Sequence, residues 1–348
     1  MSLKRIWAMF KARNYEFFRD KAAFGWNFLF PFLIIAGFGF IFGDRNFSGF
    51  KVGAFPSAAQ EVSRDATALP AKFLRNPHLK VIGFPTLEQG LLELKHHKID
   101  FLVRLDSPDK QYWVLDSSPK GYLVERIFLT SFIPEGAGYG ERVAVPGTEI
   151  RYIDWLFPGI LGMNMMFSAL WGVGYVVVRY RKNGVLKRLK ATPLTAFEYL
   201  TAQALSRFFL LLFTLVVVWW GADLLFSFRV AGSLVNLLLV FALGGLSLTS
   251  IGLLLAARGT SEEFASGALN FISWPMMFLS EVWFSLEGAP VWIKRFADLL
   301  PLTHLLRAVR KIMNDGATLA EVSGECFILL AITAACLVLA ATLFSWNE

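Results

Sequence analysis

The sequence predicts an α-helical polytopic membrane protein: six transmembrane helices, an N-terminal interfacial amphipathic helix, and a small α/β extracytoplasmic domain between helices 1 and 2. Three observations carry this. Hydrophobic residues make up 55% of the 348-residue chain and charged ones 18%, whereas soluble domains run at about 45–50% and about 25%. The apolar residues are gathered in six long blocks with few or no charges, and about 20 such residues cross a hydrocarbon core of about 30 Å. The basic residues sit beside those blocks rather than being spread along the chain.

In order, residues 1–21 read as an amphipathic helix. Leu3, Ile6, Trp7 and Phe10 share a face, with Lys and Arg on the other. Such a helix lies in the headgroup plane or docks on a partner. Residues 22–43 form the first span. That block is too long for a signal-peptide core and no small-residue cleavage pattern follows it, so it is expected to stay as an anchor. Residues 44–154 read as a folded α/β domain, since structureless loops beyond about 15 residues are uncommon. Strands are expected at Lys80–Phe84, Ile99–Leu105 and Gln111–Leu115. Helices are expected from Thr86, with Gln89 completing a capping box and Leu87, Leu91 and Leu94 on one side, and at Lys120–Phe132.

The second span is 155–178. Residues 179–201 are a basic connector whose first helix Pro193 should end near Ala191. The third span, 202–228, runs past a single Asp223, the fourth is 230–257, and the fifth, 264–285, is the most marginal in length. Between it and the last span, residues 286–324 mix Pro290, Trp292 and Pro301 with a Leu-rich run, which suggests broken or re-entrant helices. The last span, 325–346, carries both cysteines, Cys326 and Cys336. They stand about 15 Å apart along one helix, too far for a disulfide, which needs Cα atoms within about 7 Å.

Charge sets the orientation. Six Lys/Arg precede the first block and six follow the second (Arg179, Arg181, Lys182, Lys187, Arg188, Lys190), while segment 44–154 holds fourteen basic and fourteen acidic residues. Lys and Arg stay on the cytoplasmic side. The N-terminus, the connector and the C-terminus are therefore expected inside, and 44–154 outside. Segment 286–324 runs against this pattern, with five basic and four acidic residues on the expected outer side. The net charge of +7 is explained by these flanks, so no nucleic-acid partner is expected.

Two sets of residues carry the functional expectations. In the connector, Val185, Leu186 and Leu189 form an apolar ridge, Lys182, Lys187 and Arg188 supply charge, and Gly184 and Pro193 bound the helix. From the residues alone two readings stay open: an element that receives movement from a soluble partner, or a positive-inside loop whose leucines touch headgroups. Within the spans, Asn164, Ser168, Gln203, Arg207, Asn270 and Glu281 either line a pathway or meet across a dimer, or bond neighbouring helices and snorkel at span ends. Glu262 and Glu263 cap the fifth helix in the first instance. His78, His96, His97 and His304 lack metal-ligand spacing, and no catalytic constellation stands out. No phosphate-binding loop of the form G-x-x-x-x-G-K-[ST] is present.

Three stretches make the pattern familiar: YIDWLFPGILG at Tyr152–Gly162, NGVLKRLKATPL at Asn183–Leu194, and PVWIKRFADLLPLTHLLRAVRK at Pro290–Lys311. Together, at the right spans, they resemble ABC-2 type transporter permeases, the membrane subunits of type V ABC exporters, in the subgroup with a large extracytoplasmic domain. Two departures stand out. The stretch before the connector glycine lacks the family's usual glutamate, and Glu281 stands where relatives commonly have glycine. The resemblance implies a bacterial inner-membrane subunit exporting a drug, lipid, other amphiphile, polysaccharide or ion. It implies a cytoplasmic ABC ATPase partner that carries the ATP and Mg²⁺, with no cofactor on this chain, and a second permease subunit, identical or not. It turns the connector residues Lys182, Gly184, Val185, Leu186, Lys187, Arg188, Leu189 and Pro193 into the expected ATPase contact. Membrane lipid, and an envelope partner reached through 44–154, complete the expected partners. The alternative is a membrane-anchored extracytoplasmic ligand-binding or scaffold protein. Cytoplasmic segments of about twenty residues leave such a protein no output domain.

Overall fold

A computed structural model describes residues 2–42, 49–57, 69–106, 111–133, 151–257 and 261–344. The chain divides into a helical unit, Met1–Gly43 with Glu149–Glu348, and a smaller unit, Asp44–Thr148.

The helical unit opens with α1 (Leu3–Arg19), which turns at Asp20 into α2 (Lys21–Phe42). The buried stripe of α1 differs from the expected one. Ile6 and Asn14 are buried, whereas Leu3 is 80% and Trp7 56% exposed. The helix is rotated so that Ile6, Phe10, Arg13 and Asn14 face another helix of the same chain, and the polar residues of this stripe are bonded there. A second rod, Tyr152–Lys182, comprises α6 (Tyr152–Ala169), a π-helical segment (Leu170–Tyr175) and α7 (Val176–Lys182). It starts before the expected 155. Arg151 grips Asp154 through two 2.7 Å hydrogen bonds and donates to the Phe226 carbonyl, which ties this helix start to the end of a later helix.

A short helix α8 (Val185–Lys190) follows Gly184, whose φ of 67° is a left-handed conformation that glycine adopts freely. Helix α9 (Ala196–Phe226) begins six residues ahead of the expected 202, because Thr195 and Glu198 form a reciprocal capping box. Then come α10 (Leu234–Ala256), α11 (Glu262–Leu279), α12 (Val291–Ala297), α13 (Pro301–Asp315) and α14 (Ser323–Leu343). Among the described residues, four helices are long and apolar enough to cross a membrane: Tyr152–Lys182, Ala196–Phe226, Leu234–Ala256 and Ser323–Leu343. The bent pair α1–α2 makes a fifth. Helix α11 stops at Leu279, short of the expected 285. Glu281 adopts a φ of 59°, its carboxylate accepts the Leu286 amide at 2.9 Å, and the chain turns there.

Segment 286–324 is helical, and α13 is almost wholly buried against α6, α10 and α14. Small residues let it in. A Cβ at Gly162 would lie 2.7 Å from Leu306, and one at Gly244 2.6 Å from Leu305, so these glycines bring the backbones close. Arg310 of α13 donates to the carbonyls of Glu281 (2.6 Å) and Trp155 (3.3 Å) and stacks on the Trp155 ring. Helix α10 is mostly buried and α14 mostly exposed, which suits a central and a lipid-facing helix respectively.

The smaller unit is a four-stranded sheet in the order β2-β1-β3-β4, from β1 (Phe50–Phe55), β2 (Leu79–Gly83), β3 (Phe101–Arg104) and β4 (Tyr112–Trp113). Strands β2 and β3 pair parallel to β1, and β4 pairs antiparallel to β3. Between them lie α3 (Ala71–Leu74), α4 (Leu87–Lys95) and, after β4, α5 (Pro119–Thr130). The expected Thr86 cap accepts the Gln89 amide at 3.4 Å. Phe73, Phe101 and Phe128 fill one core of the unit. The central strand β1 is the element the sequence hid. It carries Gly53, where a Cβ would meet Ile99, Leu102 and Phe84 at 2.6–3.0 Å, so close packing from both sides replaces the β-branched pattern that marks a strand.

Candidate functional site

Polar chemistry gathers where α1, α2, α9 and the π-helical segment meet. The capping box that starts α9 places Glu198, Gln203, Ser206 and Arg207 on its α1-facing side, and all four are buried. Glu198 accepts the Ser2 amide at 2.7 Å and pairs with Arg5 at 3.3 Å. Ser206 donates to Asn14 at 3.3 Å, and Phe10 meets Phe209 edge-on. Arg13 donates to Gln203 Oε1 at 2.8 Å and to the Tyr180 hydroxyl at 2.6 Å, and it pairs with Glu16. Glu16 also accepts from Tyr180 and pairs with Arg179 at 3.4 Å. The N-terminal helix is thus bonded through its charged side, the side that sequence periodicity assigns to water.

Arg207 is different. It is 9% exposed, its Nε has no hydrogen-bond partner, and no carboxylate pairs with it among the described residues. Its guanidinium lies on the backbone of Gly172, where a Cβ would stand 2.0 Å from Cζ. Gly172 lies inside the π-helical segment, a distortion that recurs at functional sites. Above these groups opens a cavity of about 820 Å³, within the size range of small-molecule pockets. Its wall combines Arg13, Glu16, Asp20, Arg179, Gln203 and Arg207 with Trp26, Phe30, Phe167, Trp171, Trp274 and Trp283.

Four of the six expected intramembrane polar residues, Asn164, Ser168, Gln203 and Arg207, therefore share one cavity. Ser168 donates to Asn27 of α2. The other two lie elsewhere. Asn270 is exposed on α11. Glu281 closes the turn after α11 and pairs with Arg310 at 3.7 Å. Sequence reasoning missed Arg13, Asn27 and Gly172. Asn27 is a lone amide in an otherwise apolar block, and that was its available signal. Arg13 gave none, because it is one of six flanking cations.

The connector is the second feature. Lys182, Lys187 and Arg188 are exposed as expected, Gly184 starts α8, and Pro193 follows it, its carbonyl accepting from Arg5. The expected ridge is corrected. Leu186 is wholly buried among Val173, Val177, Val178, Tyr199, Leu253 and Ala256, with Leu189 half-buried beside them and Val185 half-buried. Val173 belongs to the π-helical segment that seats Arg207, so Leu186 shares a buried cluster with that element while α8 itself packs on α7. Arg181 donates to the Ala256 and Ala257 carbonyls, both at 3.0 Å, and closes the end of α10. Lys182 pairs with Glu262 and Glu263 at 3.8 and 3.5 Å, so those two carboxylates bind the connector as well as starting α11. The ends of four helices are tied together at this point. Among the described residues, no cluster of three His, Cys, Asp or Glu side chains could hold a metal.

Residues 112–314 match the family described as ABC-2 type transporter, more than half of the chain. Among curated proteins, the chain is 24% identical over 186 residues to the "Probable multidrug ABC transporter permease YbhR" of Escherichia coli (strain K12), covering 53% of this chain and 50% of that protein. It is 27% identical over 177 residues to the "Linearmycin resistance permease protein LnrN" of Bacillus subtilis (strain 168), covering 50% and 45%. It is 24% identical over 173 residues to the "Daunorubicin resistance ABC transporter permease protein DrrB1" of Streptomyces coeruleorubidus, covering 48% and 59%. The matched region spans about half the length of these relatives.

Proposed function

Because the chain belongs to the ABC-2 type transporter family, we propose that it is the permease subunit of an ATP-driven exporter, with six spans, cytoplasmic termini and an outward-facing 44–148 unit. ATP and Mg²⁺ reside on a separate cytoplasmic ATPase, in keeping with the lack of a phosphate-binding loop here. A second permease subunit packs against the α2–α11 side, where Trp26, Trp274, Phe264 and Phe271 are all more than half exposed. The cargo is a drug or other amphiphile, a reading supported by the multidrug, linearmycin-resistance and daunorubicin-resistance permeases that the chain resembles, and it passes through the cavity beside Arg207.

The observation that carries this reading is the burial of Leu186 in the cluster that also holds Val173 of the π-helical segment. Charged residues on one side of α8 receive the ATPase, and the apolar side hands the displacement to Val173, Val177 and the cavity wall. A lever needs one face for the motor and another fixed in the load, and α8 offers an exposed charged face and a buried apolar one. The exposed charges Lys182, Lys187 and Arg188, rather than the leucines, are the contact surface.

The test is co-purification of the detergent-solubilised chain with the ATPase it is expressed with. Lys187→Glu with Arg188→Glu should abolish co-elution while the melting profile of the permease stays unchanged. Undiminished co-elution of that double variant would remove the connector from the ATPase interface.

A further inference from the structure

The cavity carries a cation that no carboxylate among the described residues pairs with. Arg207 stands eleven residues into α9, about 16 Å along the helix axis, and it is buried with its Nε unpartnered. Arg13, a second cation, lines the same cavity. Of the two carboxylates on the wall, Glu16 is already shared by Arg13, Arg179 and Tyr180, and neither Glu16 nor Asp20 pairs with Arg207. A buried ionisable side chain in a span is retained at a cost, and facing a cavity it marks the pathway of something that compensates it. An arginine fork compensates best with a planar or tetrahedral oxyanion, taken through paired N–H groups. Around that fork the walls are aromatic: Trp26, Phe30, Phe167, Trp171, Trp274 and Trp283. They offer apolar area beside the charged Arg13, Glu16, Asp20 and Arg179 of the same wall.

We propose that Arg207 binds the oxyanion of an acidic amphiphile, a phosphate, sulfate or carboxylate group on an apolar tail, whose tail lies along these aromatic walls. This rests on the reading of the cavity as the cargo site and names the class of cargo. Glycine at position 172 is part of the device. Only without a Cβ there does the guanidinium reach its seat.

The test uses the full-length chain in phosphatidylcholine nanodiscs without its ATPase, so failure here leaves the permease assignment intact, and failure of ATPase binding leaves this measurement intact. The probe is 11-(dansylamino)undecanoate, read by energy transfer from protein tryptophan after subtraction of empty discs. The expected result is saturable binding, with dodecyl phosphate displacing the probe at a concentration about tenfold or more below that of dodecyltrimethylammonium, and inorganic phosphate displacing none. Arg207→Gln should weaken probe binding about tenfold or more, the loss expected for one charge-assisted hydrogen bond, and Arg207→Lys should keep most of it. Equal displacement by the two amphiphiles overturns the proposal, and that comparison needs only the wild-type chain. Displacement by inorganic phosphate alone, or unchanged binding in a folded Arg207→Gln variant, also overturns it. Repeating the titration in phosphatidylglycerol discs separates the sources. Loss of probe binding there identifies an acidic bilayer lipid as the occupant, and persistence identifies an amphiphile that the bilayer does not supply. In either case Arg207 is the anion site.

Discussion

Replacing Leu186 by alanine separates the two faces of α8. The side chain is 0% exposed and surrounded by Val173, Val177, Val178, Tyr199, Leu253 and Ala256. Truncating a fully buried leucine costs about 2–5 kcal/mol, depending on how far the site collapses. Neighbours drawn from three separate helices, the Tyr152–Lys182 rod, α9 and α10, leave little room to collapse, which places the expected cost in the upper half of that range. For a unit of this size the melting temperature should fall on the order of 10 °C. Lys187, one residue on and exposed, should change it by about 1 °C or less when replaced by alanine, since surface substitutions stay within about ±0.5 kcal/mol. The assay is thermal unfolding of the purified chain in one detergent, followed by tryptophan fluorescence and by retention of the monodisperse peak after heating. A Leu186→Ala variant that melts with the wild type would refute the docking of α8. The lever argument would fall with it, because an undocked helix passes no displacement to the π-helical segment.

Three further outcomes follow from the same geometry. Gly172→Ala puts a Cβ 2.0 Å from Arg207 Cζ. It should lower dansyl-probe binding as Arg207→Gln does, while stability stays within about 1 kcal/mol because alanine favours the helix by a similar amount; unchanged probe binding would mean that the guanidinium does not use this seat. Glu198→Ala removes the capping box and frees Ser2 and Arg5. It should cost about 1–2 kcal/mol and expose α1 to trypsin at Lys4, Arg5 and Lys11, an effect checked by the rate of N-terminal cleavage. The third concerns His304, which places both ring nitrogens against acceptors, Nδ1 against Glu325 and Nε2 against the Asp298 carbonyl at 2.7 Å. The Glu325 hydrogen bond is the largest cause that raises its pKa above 6.5, with burial and Arg307 opposing it and the Asp298 carbonyl adding to it. A raised folded-state value stabilises the fold fully below the unfolded value, and that stability is lost as pH rises through the folded value. Melting temperature should therefore decline from about pH 6.5 upward, and His304→Gln should flatten that slope. A wild-type profile that rises across this window would contradict the imidazolium assignment.

The membrane class, the order of helices, the basic connector and four of the cavity's polar residues were all legible in the chain, because each depends on local properties. Long uncharged blocks at Trp155–Val178 and Val230–Ala257 can only be buried in lipid or protein, and Gly184 and Pro193 punctuate the backbone wherever they stand. Local pattern also brought Thr86, with Gln89, to the start of α4. It failed where a partner decides. The periodicity of residues 3–10 put Leu3 and Trp7 on the buried face, but the charges Arg5 and Arg13 find Glu198 and Gln203 on α9, nearly two hundred residues away, and rotate the helix. Leu186 reads as a free ridge until Leu253 and Tyr199 close over it. Segment 286–324 reads as a broken outer loop until Gly162 and Gly244 admit α13 to the core. Hydrophobic period and turn chemistry are properties of neighbours in the chain, so the sequence alone determined the elements and their punctuation. Which face of an element is buried, and whether an arginine is neutralised or left bare beside a cavity, are properties of neighbours in space, and only the tertiary structure decided them.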